Sequence, residues 1–277
     1  MTTRARRFRI PSAFALGALA LGAAIGSLGT EVRAQTPALV APGKLSYGVA
    51  ATFAPFEYSV DGKLTGFDIE FIEAIGKALK LEPAPLNIEF KGLIPALQGK
   101  RVDVINSAMY INPARSEQVD FVPYMKIGQQ IVVRKGNPSA IKTREDLCGK
   151  KVAVTLGGIQ ETYARQDAER CKAAGKPEVT VMTFPTAQDS GLSVRQGRAD
   201  AYYESTAGVA KMVNERSDAF EAVGPVFEFG TQIGIAVRKG EKDMADLIAS
   251  GIKQVAADGT YKRLMEKYHL PPEGSLF

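Results

Sequence analysis

One histidine, His269, serves the whole 277-residue chain, and Cys148 and Cys171 are its only cysteines. Serine–histidine–aspartate, cysteine–histidine and histidine-rich metal chemistry would all have to share that single imidazole. It lies in the last helical pattern, near the C-terminus, and reads as a surface residue. Zinc would need more ligands, so no metal or other cofactor is expected. In an oxidising compartment the two cysteines, 23 residues apart, read first as a disulfide. Basic tracts and aromatic–basic interleaving are absent, so no nucleic-acid partner is expected. There is no G-x-G-x-x-G and no P-loop. Beyond residue 34 no apolar run approaches the roughly 20 residues of a membrane span.

What is there begins with an address. Arg4, Arg6, Arg7 and Arg9 precede an uncharged, Ala/Leu/Gly-rich run over 13–28, followed by Val32 and Ala34 where a signal peptidase reads. That order is a cleaved secretory signal over 1–34, and the run is too short for an anchor. Periplasmic export follows, with Arg6-Arg7-Phe8 leaving the twin-arginine route open beside the general one. No cysteine sits at the junction, so no lipid anchor is expected. The first 34 residues carry five arginines and one glutamate, so the formal charge of +5 falls to near +1 beyond them. The charge therefore says little about polyanionic partners.

Strand and helix patterns then alternate, which predicts an α/β fold. A strand is read over 44–50, and Asp61-Gly62 is a hairpin signal. A helix is read over 67–79, with Phe67, Phe71, Ile75 and Leu79 on one face, acids early and lysines late. A short helix over 94–98 and a strand over 102–106 follow. The second half repeats the scheme: strands over 151–155, 179–182 and 200–203, and helices over 160–173, 187–196 and 206–214. Helices over 242–257 and 260–268 close the chain. Ile131-Val-Val-Arg-Lys-Gly136 and Ile235-Ala-Val-Arg-Lys-Gly240 nearly repeat, 104 residues apart. Either an edge-strand pattern recurs by chance, or two strands cross between lobes and form a hinge. The second reading puts lobe 1 at 44–128 plus 233–277 and lobe 2 at 129–232.

Open α/β sheets bind ligands beyond the carboxyl ends of their strands. Phe53 follows the first strand and is either an exposed wall or a core residue. Asn112-Pro113 starts a short helix and puts Arg115 in its first turn, where a cation needs an anionic partner. That partner is a ligand carboxylate gripped by the guanidinium fork, or a structural bridge to Glu117 or Asp120. Gly157-Gly158-Ile159-Gln160 opens a helix with free amides suited to an anion. Glu204 ends a strand and either meets a ligand cation or stands solvated.

Together these stretches resemble the bacterial extracellular solute-binding proteins of family 3, the polar-amino-acid binders of ABC importers. The segments are Phe53-Ala-Pro-Phe56 with Gly66-Phe67-Asp68, Ile111-Asn-Pro-Ala-Arg115 through Tyr124, 146–154, 197–201 and 258–268. The resemblance implies a two-lobed class II periplasmic-binding-protein fold with two hinge strands. It also implies a monomer that binds an amino-acid-like solute and delivers it to a transmembrane permease. Phe53 and Phe90 would be aromatic walls, and Arg115 the carboxylate clamp. Backbone at Ala108, Tyr110, Gly158, Ile159 and Gln160 would add polar contacts.

The departures bear on the ligand. Ala50 stands where many members carry an acid, Tyr110 where a Ser or Thr is usual, and Ser205 where an aspartate takes the ammonium. Glu204, one position earlier, is then the candidate counter-ion, although adjacent strand residues point to opposite faces. The family also resembles secreted cyclohexadienyl dehydratases, in which Glu204 or Glu161 would act as general acid. A ligand-sensing ectodomain is a third reading, which no transmembrane or kinase segment supports.

Overall fold

The computed structural model describes residues 37–215 and 217–277. The signal peptide read over 1–34 lies outside the described residues. Among the described residues no helix is long and apolar enough to cross a membrane.

The chain enters on β1 (Lys44–Val49) and forms a small antiparallel sheet of β2 (Thr52–Phe53), β3 (Glu57–Val60) and β4 (Lys63–Thr65). Asp61 and Gly62 both take positive φ in the β3–β4 turn, the conformation that matches a hairpin's twist. Helix α1 (Phe67–Leu79) spans the predicted residues. Its stripe of Phe67, Phe71 and Ile75 is fully buried, each worth roughly 1.5–3 kcal/mol of transfer energy. Then come β5 (Glu82–Asn87), α2 (Leu93–Gln98), β6 (Val104–Ile105), α3 (Pro113–Ser116) and β7 (Val119–Lys126).

The chain next builds β8 (Gln129–Arg134), β9 (Lys151–Thr155), α4 (Ile159–Ala173), β10 (Thr180–Phe184), α5 (Ala187–Arg195), β11 (Ala201–Ser205), α6 (Thr206–Glu215) and β12 (Phe220–Phe227). It finishes on β13 (Gln232–Arg238), α7 (Lys242–Ala257) and α8 (Thr260–Lys267).

Two five-stranded sheets result, ordered β5-β1-β6-β13-β7 and β10-β9-β11-β8-β12. In each, three parallel strands are followed by an antiparallel fourth. The near-repeated hexapeptides are those fourth strands, β13 and β8. They do not pair with each other; each occupies the same place in its own sheet. The two sheets define two lobes of mixed topology. The chain crosses between them after β7 and again after β12, and the crossings lie side by side, with Ile127 N–H donating to the Thr231 carbonyl at 2.9 Å. Two adjacent strand connections of this kind are the hinge.

In the first lobe α1 packs on α7 so closely that a Cβ on Gly251 would lie 2.9 Å from the Ile75 side chain. Phe71 meets Tyr124 and Tyr261 with ring centroids 5.3 and 5.5 Å apart. In the second lobe the Cys148–Cys171 disulfide ties the segment before β9 to α4. Beside it the carboxylate of Asp167 receives Arg144, Arg170 and the phenol of Tyr203. His269 is exposed, just past the end of α8.

Candidate functional site

Between the lobes lies a narrow cavity, walled by Phe53, Phe90, Ala108 and Tyr110 from one side and Gly158, Ile159, Gln160 and Glu204 from the other. Eight of the ten residues singled out in the sequence therefore share one wall or the other. None of the cavity's lining residues is basic.

Phe53 lines the cavity and also stacks on the buried Phe56 ring, centroids 5.6 Å apart. Ala108 takes φ +40, a conformation L-residues seldom adopt. Its amide is held there by the Asp68 carboxylate at 2.6 Å, whose two oxygens also receive the Tyr124 hydroxyl. Asp68 thus positions the 107–110 loop; its place in the first turn of α1 leaves it fully buried.

Arg115 is 8 % exposed. Asn112 caps the short helix through the Arg115 amide, and Nη1 donates back to the Tyr110 carbonyl at 2.7 Å. Nη2 donates across the cleft to the Gly157 carbonyl at 2.9 Å, and the guanidinium stacks 5.2 Å from the Phe90 ring centroid. Neither structural bridge considered for it forms: Asp120 pairs with Lys239 and the Gly240 amide, and Glu117 is exposed. Burial pulls the guanidinium down to about 10, still charged at neutral pH, and no carboxylate opposes that shift. Arg115 is not itself a lining residue of the cavity, and only its Nη1 and Nη2 each spend one donor within the protein.

The Gly-rich turn is partly used by the protein itself. Gly157 takes positive φ, its amide donates to Glu161, and the Gly158 amide donates to Thr155. The first-turn amides of Ile159 and Gln160 have no carbonyl four residues back within α4. Glu161 is held by Arg165 as well and does not line the cavity.

Glu204 lines the cavity despite the strand alternation that put this in question, because the chain turns into α6 directly behind it. Its Oε1 accepts from the Ser205 amide at 2.7 Å and the Ser205 hydroxyl at 3.1 Å. The carboxylate folds over the first turn of α6, where a Cβ on Gly208 would come within 2.4 Å of it. Burial pushes it up to about 7, against the Ser205 hydrogen bonds. Ser205 is buried off the cavity. Its hydroxyl accepts from the Gly208 amide and caps α6.

Tyr110 lines the cavity with its side chain, and its carbonyl is taken by Arg115. The buried hydroxyl accepts from Gln129 Nε2, and Gln129 Oε1 accepts from Gln160 at 3.1 Å. Gln129, Glu57, Tyr202 and Tyr203 are absent from the sequence-based site. The last three line the cavity, and Glu57 is 1 % exposed.

A hinged pair of α/β lobes with a cavity at their meeting edges defines a two-lobed solute-binding protein. The chain belongs to the bacterial extracellular solute-binding proteins, family 3, whose model matches residues 45–271. It is similar to the L-cystine-binding protein TcyJ of Escherichia coli (strain K12), 33% identical over 82% of this chain and 82% of that protein. ABC transporter arginine-binding protein 1 of the same organism is 30% identical over 81% and 90%. Among solved structures, an ancestral arginine-binding protein bound to arginine superposes with a TM-score of 0.74 at 38% identity, covering 82% of this chain and 98% of that one.

Proposed function

We propose that this protein is the periplasmic binding component of an amino-acid ABC importer. It closes its lobes on one amino acid and presents the closed form to a transmembrane permease. The observation that carries the reading is Arg115, a buried guanidinium that no carboxylate among the described residues neutralises. A buried cation left unpaired is costly, and a ligand α-carboxylate between Arg115 and the first-turn amides of α4 relieves it. The α-ammonium then falls to Glu204, the acid that the opposite lobe brings to the cavity and that forms no ion pair with a described residue. Phe53 and Phe90 wall the side chain. Relatives named for binding cystine and arginine support an amino-acid ligand.

Binding, not turnover, is the function. The matched relatives are binding proteins by name, and Glu161, one of the two acids a dehydratase would use, is turned to Arg165. Export follows from the N-terminal signal, and the lobes act as a monomer.

The test is a thermal-shift screen of the mature protein against amino acids, their amides and their decarboxylated amines. Free amino acids should stabilise it, in proportion to the logarithm of their concentration above Kd. Equal stabilisation by the decarboxylated amines would remove the carboxylate from the reading.

A further inference from the structure

The start of α6 meets the hinge. Two hydroxyl residues stand there in sequence, Ser205 and Thr206, and a helix needs only one N-cap. Ser205 takes that role through the Gly208 amide, which leaves Thr206 as the first helical residue. The Thr206 N–H, one of the donors that a helix start leaves free, is spent on the Gly128 carbonyl at 3.0 Å. Ile127 and Gly128 are the crossing between β7 and β8, and the Ile127 amide donates to Thr231 of the second crossing. The first turn of α6 is therefore bonded to Glu204 at one side and to the hinge at the other.

The Thr206 side chain is packed into the same junction. A Cβ on Gly128 would lie 2.6 Å from Val226, 3.1 Å from Phe229 and 3.2 Å from the Thr206 methyl. The crossing thus has no side chain of its own, and these three residues close over it. Thr206 Oγ1 is buried and has no hydrogen-bond partner among the described residues. The cover is thin, because Val226 and Phe229 are themselves 44 % and 37 % exposed. A buried hydroxyl without a partner carries its full desolvation cost, and valine, of the same shape, would carry none.

Resting on the lobe-closing reading above, we infer that Thr206 is a positioning residue that sets affinity through the hinge without touching the ligand. Its hydroxyl is stranded in the closed form, where Gly128, Val226 and Phe229 pack over the start of α6. Rotation at the crossings shifts that cover against α6 and admits water to the hydroxyl. The stranded group therefore weights the ligand-free protein towards the open form. Apparent affinity is the intrinsic affinity multiplied by the fraction of protein that is competent to close, so this residue keeps binding weaker and release faster than the cavity alone dictates.

The test compares wild type, Thr206→Val and Thr206→Ser by small-angle scattering without ligand and by calorimetric titration with arginine and with cystine. Thr206→Val should have a smaller ligand-free radius of gyration than wild type and should bind about fivefold tighter or more, through slower release. Thr206→Ser keeps the hydroxyl and should stay within about twofold of wild type. A Thr206→Val protein with wild-type ligand-free dimensions, or with affinity unchanged or weakened, overturns the inference. A purely structural role would raise the ligand-free melting temperature and move neither readout. If Thr206→Val does not fold, Thr206→Ala also removes the hydroxyl and should change both readouts in the same direction. If wild type binds neither probe, the amino-acid reading loses its support, and ligand-free scattering alone decides the hinge role.

Discussion

Arg115 and Gly157 are joined across the cleft: the guanidinium of one lobe donates to a carbonyl of the other at 2.9 Å. The residue proposed to grip the ligand is thus also a fastening between the lobes. Arg115→Ala should lose both functions. Each charge-assisted hydrogen bond is worth about 1.5–3 kcal/mol, so affinity should fall at least a hundredfold. Arg115→Lys keeps the charge but not the fork and should recover only part of it. Calorimetry on refolded, circular-dichroism-matched proteins checks this. Wild-type affinity in Arg115→Ala would be the adverse result.

Glu204 predicts a pH dependence with a definite sign. Its carboxyl is raised to about 7 in the ligand-free fold, so the protonated form is the favoured one there. Its contribution to stability is complete below about 4.5 and is lost as pH rises through about 7. A ligand ammonium favours the charged form, so binding near pH 7 should release a proton and affinity should rise from pH 5 to about 7.5. Glu204→Gln should flatten both profiles. Gly208→Ala should mimic it in part by displacing the carboxylate without removing it. Thermal melts and titrations across that pH range measure the effect, and an affinity that falls with pH would contradict the assignment.

The periodic elements were legible in the sequence. The face made by Phe67, Phe71 and Ile75 located α1 because nothing else competes with a 3.6-residue apolar stripe. β5 was not, because Pro83 and Pro85 argue against a strand; the structure accommodates them at a sheet edge, bonded to β1 alone. β12 carries Pro225 and is likewise an edge, with its register shifted after Val223. At the site, Arg115, the aromatic walls and the Gly-rich turn were visible as local signals. Glu57 and Gln129 were not. Their burial depends on Asp68, Ser107 and Tyr110, residues far away in the chain, and a polar residue in a strand looks like a solvent-facing one until its partners are known.

The disulfide predicts a local effect on the second lobe. Cys148 and Cys171 close a 23-residue separation, for which loop entropy gives roughly 3 kcal/mol of stabilisation. Arg144 lies just before the first cysteine and stacks 4.5 Å over Phe227, while its carboxylate partner Asp167 also holds Tyr203 of the cavity wall. A Cys148→Ser/Cys171→Ser protein should therefore melt at lower temperature and also bind ligand more weakly. Amide exchange should rise in α4 and β11 and stay unchanged in α1. A uniform rise in both lobes would mean the disulfide does not act locally.

Gln129 should set the balance between open and closed lobes. It is fully buried at the first residue after the crossing from β7, its Nε2 donating to Tyr110 of the first lobe and its Oε1 accepting from Gln160 of the second. The Gln160 bond lies within the second lobe, whereas the Tyr110 bond spans the two lobes and needs them together. Gln129→Leu fills a similar volume but strands the Gln160 amide, and an unsatisfied buried polar group costs about 1–3 kcal/mol. That cost falls on the closed state alone, because opening lets water reach both partners. The expected outcome is a five- to hundredfold loss of affinity with little change in ligand-free melting temperature. Small-angle scattering should show an expanded ligand-free form that still closes at saturating ligand. A matched drop in ligand-free stability would instead make Gln129 a packing residue with no part in the hinge.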